Sequence, residues 1–387
     1  MRVYLILFPK YIFSDLYSST IPFCDHKCIY CDFYSIITSD NVQSSLTALK
    51  KEIEYFSWLY SEDRIFTSIF FGGGTPSLME PYYLEEILNH LKNNFTIDAD
   101  AEITMETNPG TVDKSKLKKF KEAGINRISI GIQSFDEAEL KFLTRIHDKQ
   151  TAIQTVYNAA EVGFDNISVD LIFNLPNQTK EKWIANLETT VELPIKHLSA
   201  YSLILERGTI LNKMVLDGKV KMADEDYDAD LYETTIDLLL SSGFYQYEVS
   251  NFTKPGFECT HNTAYWRYRD YLGFGTSSHS FVDGKRWWNY TSLKKYISEI
   301  ELNKHAIMNS EIITKEQMHD EYVMLAFRSS GLDLNDYRKR FSDAWIKKNN
   351  SYFELLKNEQ HLSFEDNWIK LTPKGYAVCD EILKNIL

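Results

Sequence analysis

Basic charge is what this sequence is shortest of. Its 387 residues carry 42 Lys and Arg against 55 Asp and Glu, a formal charge of -13, and no Lys/Arg-rich stripe breaks that balance. Most of such a surface repels a phosphate backbone, so nucleic acid is not an expected partner. Long apolar runs are missing as well. The one near the start, Val3 to Phe8, is strand-length and is followed by Pro9, Lys10 and Asp15 with no small-residue cleavage site. Neither a signal peptide nor a membrane span is therefore expected, while peripheral membrane contact stays open. Cysteine is scarce: there are five, and three fall within eight residues, too close together for an extracellular disulfide framework. A reducing, cytoplasmic setting fits better. Cys259 and Cys379 stand alone and read as small buried hydrophobes. With 44% hydrophobic and 25% charged residues, nothing argues for disorder.

What the sequence does hold is a regular alternation. Short apolar, β-branched runs at residues 18–21, 64–71, 101–106, 126–130, 166–173 and 197–203 alternate with amphipathic stretches at 46–60, 81–93, 114–122, 151–161 and 180–191. That pattern predicts parallel βα units, with Gly124 and Gly163 ending two of the helices. Six units are too few to close an eight-stranded barrel. The expected fold is α/β, a partial (β/α)6 barrel over residues 18–243 with its site at the strand C-terminal ends. Residues 244–289 read as an aromatic, loop-rich stretch opening a smaller, mixed and mainly helical C-terminal domain (244–387). Its end, from Leu362, reads as a strand pair and a helix entered through Leu371-Thr372-Pro373. Residues 1–17 form a separate N-terminal segment.

Cys24-x-x-x-Cys28-x-x-Cys31 follows the first predicted strand. Three thiolates so spaced can each reach a different iron of a [4Fe-4S] cubane, leaving the fourth iron for the amino and carboxylate groups of S-adenosylmethionine (SAM). A zinc site is the alternative. It wants four ligands and usually paired CxxC spacing, and His26 could complete it only with strained geometry. Phe71-Gly72-Gly73-Gly74-Thr75-Pro76 ends the second strand, where glycines allow close backbone approach to a ligand; a plain turn is the alternative. Glu106 closes the third predicted strand, Gln133 lies just beyond the fourth, Asp170 lies within the fifth and Arg145 between the fourth and fifth. Taken singly, each reads as a solvated or paired polar group.

The loop Ile21-Pro22-Phe23-Cys24 through Cys31-Asp32-Phe33 resembles that of radical SAM enzymes. More narrowly, the chain is similar to the branch holding oxygen-independent coproporphyrinogen III oxidases and HemW-type haem chaperones, from about residue 18 almost to the C terminus. The resemblance implies that Gly73, Gly74 and Thr75 hold the SAM amino group, that Glu106 lies near the ribose, that Gln133, Asp170 and Arg145 contact SAM, and that Tyr30 and Ile204 give apolar contacts to adenine. It implies a haem chaperone rather than an oxidase, because the oxidases carry a fourth cysteine where this chain has Phe33, and because His261-Asn262-x-x-Tyr265-Trp266 matches the chaperones' haem-associated motif. Haem is then a bound cargo, His261 its expected axial ligand and His279 a second candidate, and a haem-accepting protein the partner. The branch usually has Tyr and His where this chain has Ser18 and Thr20. The alternatives are decarboxylation of coproporphyrinogen III, with the chain acting as an enzyme, and radical modification of RNA, which the acidic charge opposes.

Overall fold

The computed structural model describes residues 6–7, 15–37 and 40–387. Its main sheet has thirteen strands: β1 (Ile6–Leu7), β2 (Asp15–Ile21), β3 (Ile65–Gly73), β4 (Thr96–Thr107), β5 (Arg127–Gln133), β6 (Asn166–Phe173), β7 (His197–Ser202), β8 (Tyr245–Glu248), β9 (Asn251–Thr253), β10 (Tyr271–Gly275), β11 (His279–Val282), β12 (Lys285–Asn289) and β13 (Ile307–Ile312). Strands β2 to β7 lie side by side and parallel, as a partial barrel requires. Helices α1 (Val42–Tyr60), α2 (Pro81–Asn94), α3 (Lys114–Glu122), α4 (Glu137–Phe142), α5 (Lys149–Glu161), α6 (Lys180–Val191), α7 (Ile210–Leu216) and α8 (Glu225–Ser241) fill the intervals.

The two-residue period of the strands sorts their side chains. On β5, Ile128, Ile130 and Ile132 are buried in the main hydrophobic core, while Ser129, Gly131 and Gln133 face an interior cavity. On β6, Ile167, Val169 and Leu171 join that core and Asp170 faces the cavity. Helix ends obey local chemistry. Asp113, Asp148 and Thr179 each accept a backbone N–H from the first turn of α3, α5 and α6, contacts worth about 1 kcal/mol each. Gly124 and Gly163, at φ of 111° and 90°, terminate α3 and α5 in the left-handed conformation that a side chain resists.

Two features depart from the sequence reading. A seventh parallel strand, β10, pairs with the outer side of β2, and β11, β12 and β13 extend that edge antiparallel. At the other edge β9 and β8 continue past β7. The sheet thus runs through residue 243 without a break, and the stretch 244–289 expected to be loop-rich holds five strands and α9 (Thr260–Trp266). These strands have three to five residues, too few for a period to show, and β10 finds its partner at the far end of the chain. One signal was readable: Asp283-Gly284, both at positive φ, is the two-residue turn joining β11 to β12. After α10 (Leu293–Asn303) and α11 (Lys315–Phe327), the chain ends in a small sheet of β14 (Leu332–Asp333), β15 (Leu362–Glu365) and β16 (Trp368–Leu371) with helical segments over 373–377 and 379–386. Thr372 caps the first of these, as its Thr-Pro entry suggests. Among the described residues no helix is long and apolar enough to cross a membrane.

Glu52 ties the C-terminal strands to the barrel. Fully buried on α1, it accepts hydrogen bonds from the Gly275 amide (2.9 Å), the Asn289 side chain (2.6 Å) and the Tyr296 hydroxyl (2.6 Å). Burial pushes its carboxyl up to about 7 against the pull of these donors. Glu52→Ala takes the acceptor from the Gly275 amide and the Tyr296 hydroxyl and is expected to cost on the order of 3 kcal/mol in urea denaturation. Glu54→Ala, at a side chain 58% exposed, is expected to stay within about 0.5 kcal/mol.

Candidate functional site

The strand C-terminal ends open on a cavity of about 400 Å³. Cys24, Cys28, Cys31, Tyr30, Gly73, Gly74, Thr75, Glu106, Gln133, Arg145, Asp170 and Ile204 all line it. Every expected cluster and SAM residue therefore meets in one place, from four strands and four loops. Ile204 stands at the rim, 61% exposed, and the three cysteines are half-buried.

The glycines also make a close approach within the chain itself. Gly74 and Thr75 donate backbone hydrogen bonds to the carbonyls of Ile21 and Phe23, both at 2.8 Å. A Cβ on Gly74 would stand 2.5 Å from the Phe23 carbonyl oxygen, and one on Gly73, at φ 103°, would stand 2.6 Å from Thr20 Cγ2. The tight approach is to the root of the cysteine loop, and it leaves Thr75 at the cavity wall.

From Thr75 a chain of polar contacts joins two of the cysteines. Cys24 Sγ lies 3.2 Å from Thr75 Oγ1, which accepts from Asn108 Nδ2 at 3.0 Å. Asn108 Oδ1 in turn accepts from Arg145 at 2.7 Å, and a second Arg145 nitrogen reaches Cys28 Sγ at 3.6 Å. Arg145 also donates to the Gly131 carbonyl at 2.6 Å. Such N–H and O–H contacts to cysteine sulfur are a recognised means of tuning a thiolate-held cluster. Asn108 was missed from the sequence, although Thr107-Asn108-Pro109-Gly110 directly after β4 is a turn signal at a strand end. Tyr201 of β7 and Ser129 of β5 line the cavity too and were missed for want of any local motif.

The interior is electrostatically costly. Burial, then repulsion from Asp170, pushes the Glu106 carboxyl up to about 8; the Gly73 amide, donating at 3.2 Å, pulls the other way. Asp170 is also raised by burial, opposed by hydrogen bonds from Ser199 and Ser129 and by the charges of Arg127 and Arg145. Burial pushes the Cys31 thiol up to about 11, so ligation there must displace a firmly held proton. Gln133 sits at φ 72°, a left-handed strain for a side-chain-bearing residue at the end of β5.

The donor set fits a cluster and SAM. Three thiols share one loop, and among the described residues no three His, Cys, Asp or Glu converge on a single-ion site. Cys259 and Cys379 are buried away from the cavity, their thiols pushed up to about 12 by burial.

His261 is the exception among the expected site residues. It is 2% exposed on α9, its Nδ1 lies 3.2 Å from Ser68 Oγ and its ring packs on Phe70 at 4.7 Å. Glu102, on the N-terminal side of Glu106 along β4, accepts the Thr260 and His261 amides at 3.1 Å and so anchors the helix start. The expectation that His261 stands beside the barrel mouth is corrected: it lies against the inner face of β3, short of the mouth. Its position in the sequence, just after the barrel strands, does not reveal that α9 folds back onto β3.

The Radical SAM superfamily pattern matches residues 18–189. A protein of Lactococcus lactis named "Heme chaperone HemW" is 32% identical over 369 residues, covering 95% of this chain and 96% of its own. The Bacillus subtilis protein of the same name is 33% identical, with 94% and 96% covered. A mouse protein, "Radical S-adenosyl methionine domain-containing protein 1, mitochondrial", is 38% identical, with 95% and 86% covered. The solved structure of Escherichia coli coproporphyrinogen III oxidase (HemN) superposes with a TM-score of 0.80 over 96% of this chain and 89% of its own, at 23% identity, a likeness of fold.

Replacing any one of Cys24, Cys28 or Cys31 with Ala is expected to abolish a stable four-iron cluster, read by iron and sulfide analysis after anaerobic reconstitution; Cys259→Ala and Cys379→Ala should keep full content. The raised Glu106 carboxyl favours the fold while protonated, so its contribution is lost as pH rises from the ordinary 4.5 through about 8. Thermal midpoints of the metal-free chain at pH 5 and pH 8.5 should therefore differ less in Glu106→Gln than in the parent.

Proposed function

The chain belongs to the radical SAM superfamily and, within it, to the family of the HemW proteins, and on that footing we propose that it binds haem and hands it to a haem-accepting protein. The observation that carries the reading is Phe33: likeness to the HemW proteins extends over 94–95% of the chain, and the position where the oxidases have a further cysteine holds an inert aromatic side chain. Residues 18–243 then serve as the SAM-binding barrel and 244–387 as the haem-associated part, in a reducing cytoplasm, with the first 17 residues a separate segment.

In this reading Cys24, Cys28 and Cys31 hold a [4Fe-4S] cluster. Bound there, it supplies an iron with no protein ligand, which the amino and carboxylate groups of SAM chelate. The chain's own residues do the rest. Gly73, Gly74 and Thr75 present the rigid strand end to the amino group. Glu106 and Asp170 would offer carboxyl groups deep in the cavity to the polar groups of SAM. Gln133 and Arg145 add polar contacts, and Arg145 steadies Cys28. Tyr30 and the rim residue Ile204 cover adenine and limit water at the mouth.

The test is to incubate the reconstituted protein anaerobically with haem and an apo haem protein, and separately with coproporphyrinogen III and SAM. Haem should pass to the acceptor, and chromatography should find no protoporphyrinogen IX. Efficient SAM-dependent decarboxylation would overturn the chaperone reading in favour of an oxidase.

A further inference from the structure

Below the cavity, toward the strand N-terminal ends, the barrel interior holds a second layer of buried charge. Side chains two residues apart on a strand share a face, so β4 turns Glu102 to the side of Glu106 and β5 turns Arg127 to the side of Ser129. Glu102 and Arg127 are 9% and 2% exposed, and the Glu102 carboxylate stands 3.9 Å from Arg127 Nε. That nitrogen has no hydrogen-bond partner among the described residues. The Glu102 oxygens are taken by the start of α9, accepting from the Cys259 thiol at 3.4 Å and from the Thr260 and His261 amides. One layer up, Ser129 donates to Asp170 on the cavity wall, 3.1 and 3.3 Å from its two oxygens.

Resting on the reading of the cavity as the SAM site, we propose that Arg127 is a positioning residue for SAM: from the layer below it keeps Asp170 a carboxylate, ready to accept from the ligand, and Glu102 limits that hold. A buried ion pair offsets its desolvation only with close, hydrogen-bonded geometry. The Glu102–Arg127 pair stands open at 3.9 Å, which leaves the charge of Arg127 to act on its other neighbour. Asp170 faces Arg127 and Ser129 from β5, Ser199 and Tyr201 from β7, Glu106 from β4 and Arg145 from the segment between α4 and α5. Two of these are cations, and Arg127 acts on Asp170 more strongly than Arg145 does. Arg145 is also committed to Asn108, the Gly131 carbonyl and Cys28. Burial pushes the Asp170 carboxyl up while the two serines and two arginines pull it back, so loss of the Arg127 charge delays ionisation of Asp170 to higher pH.

The cluster-reconstituted, full-length protein is equilibrated anaerobically with labelled SAM at a series of pH values, and bound SAM is counted. In Arg127→Gln, SAM affinity is expected to fall about tenfold at neutral pH, and its rise with pH to move up by about one pH unit. Glu102→Gln breaks the same ion pair from the other side and removes the charge that competes for the guanidinium, so it should move that rise to lower pH. A pair that served only the fold would harm binding alike in both variants. Arg127→Lys keeps the cation and should stay near the parent. In Asp170→Asn no charge is left to set, and adding Arg127→Gln to it should cost no further affinity. Cluster content reports an intact fold in each variant, and if Arg127→Gln takes up no cluster, the shift to lower pH in Glu102→Gln decides. Shifts of the two variants in the same direction, no shift in Glu102→Gln, or a full further loss in the Asp170→Asn background overturns the role of Arg127 while leaving the SAM site in place. A parent protein that binds no SAM overturns both.

Discussion

The site depends on one close approach of backbone to backbone. Where β3 ends, Gly74 and Thr75 hydrogen-bond to the carbonyls of Ile21 and Phe23 with no space for a side chain between the two segments. That contact sets the height of the cysteine loop over the strand ends. It brings Thr75 within reach of Cys24, from which Asn108 and Arg145 lead to Cys28. A loop of eight residues cannot hold three thiols in place unaided, because fixing each residue costs on the order of 1–2 kcal/mol. Its geometry is borrowed from the rigid sheet below.

The same sheet carries charge that no stability argument would choose. Burial raises the cost of ionising both Glu106 and Asp170, Asp170 adds to it at Glu106, and Arg127 and Arg145 oppose it at Asp170. Burying carboxyl groups in this arrangement costs stability, and that cost is what the proposed ligand role would explain. Glu52 makes the contrast: three donors meet it, from β10, the end of β12 and α10, and its work is to bind the C-terminal strands to α1. Asn289, at the end of β12, serves that structural network.

Much of the barrel was legible because its signals are local. The period of two on β5 and β6 separates Ile128, Ile130 and Ile132 from Ser129 and Gln133, and Val169 and Leu171 from Asp170, without any knowledge of neighbours. The cysteine spacing and the glycine run are equally local, and the resemblance they carry named the remaining cavity residues. Asn108 and Tyr201 escaped, since what makes them part of the site is the company they keep in space. The strands from β8 to β13 escaped because three to six residues leave no period to read.

By itself, then, the sequence determined the chemistry: three thiols on one loop, polar side chains on the inner faces of parallel strands, and an aromatic residue at position 33. Only the tertiary structure decided how deeply each of two histidines is buried. His261 and His279 flank the same strand β10, and although a motif surrounds the first, neither local sequence tells how deeply its histidine is buried. Helix α9 packs on β3 and buries the first, while the β11–β12 register lays the second on Trp288. Exposure is a property of contacts between segments far apart in the chain, and such contacts are chosen by the packing of the whole core rather than by the residues on either side.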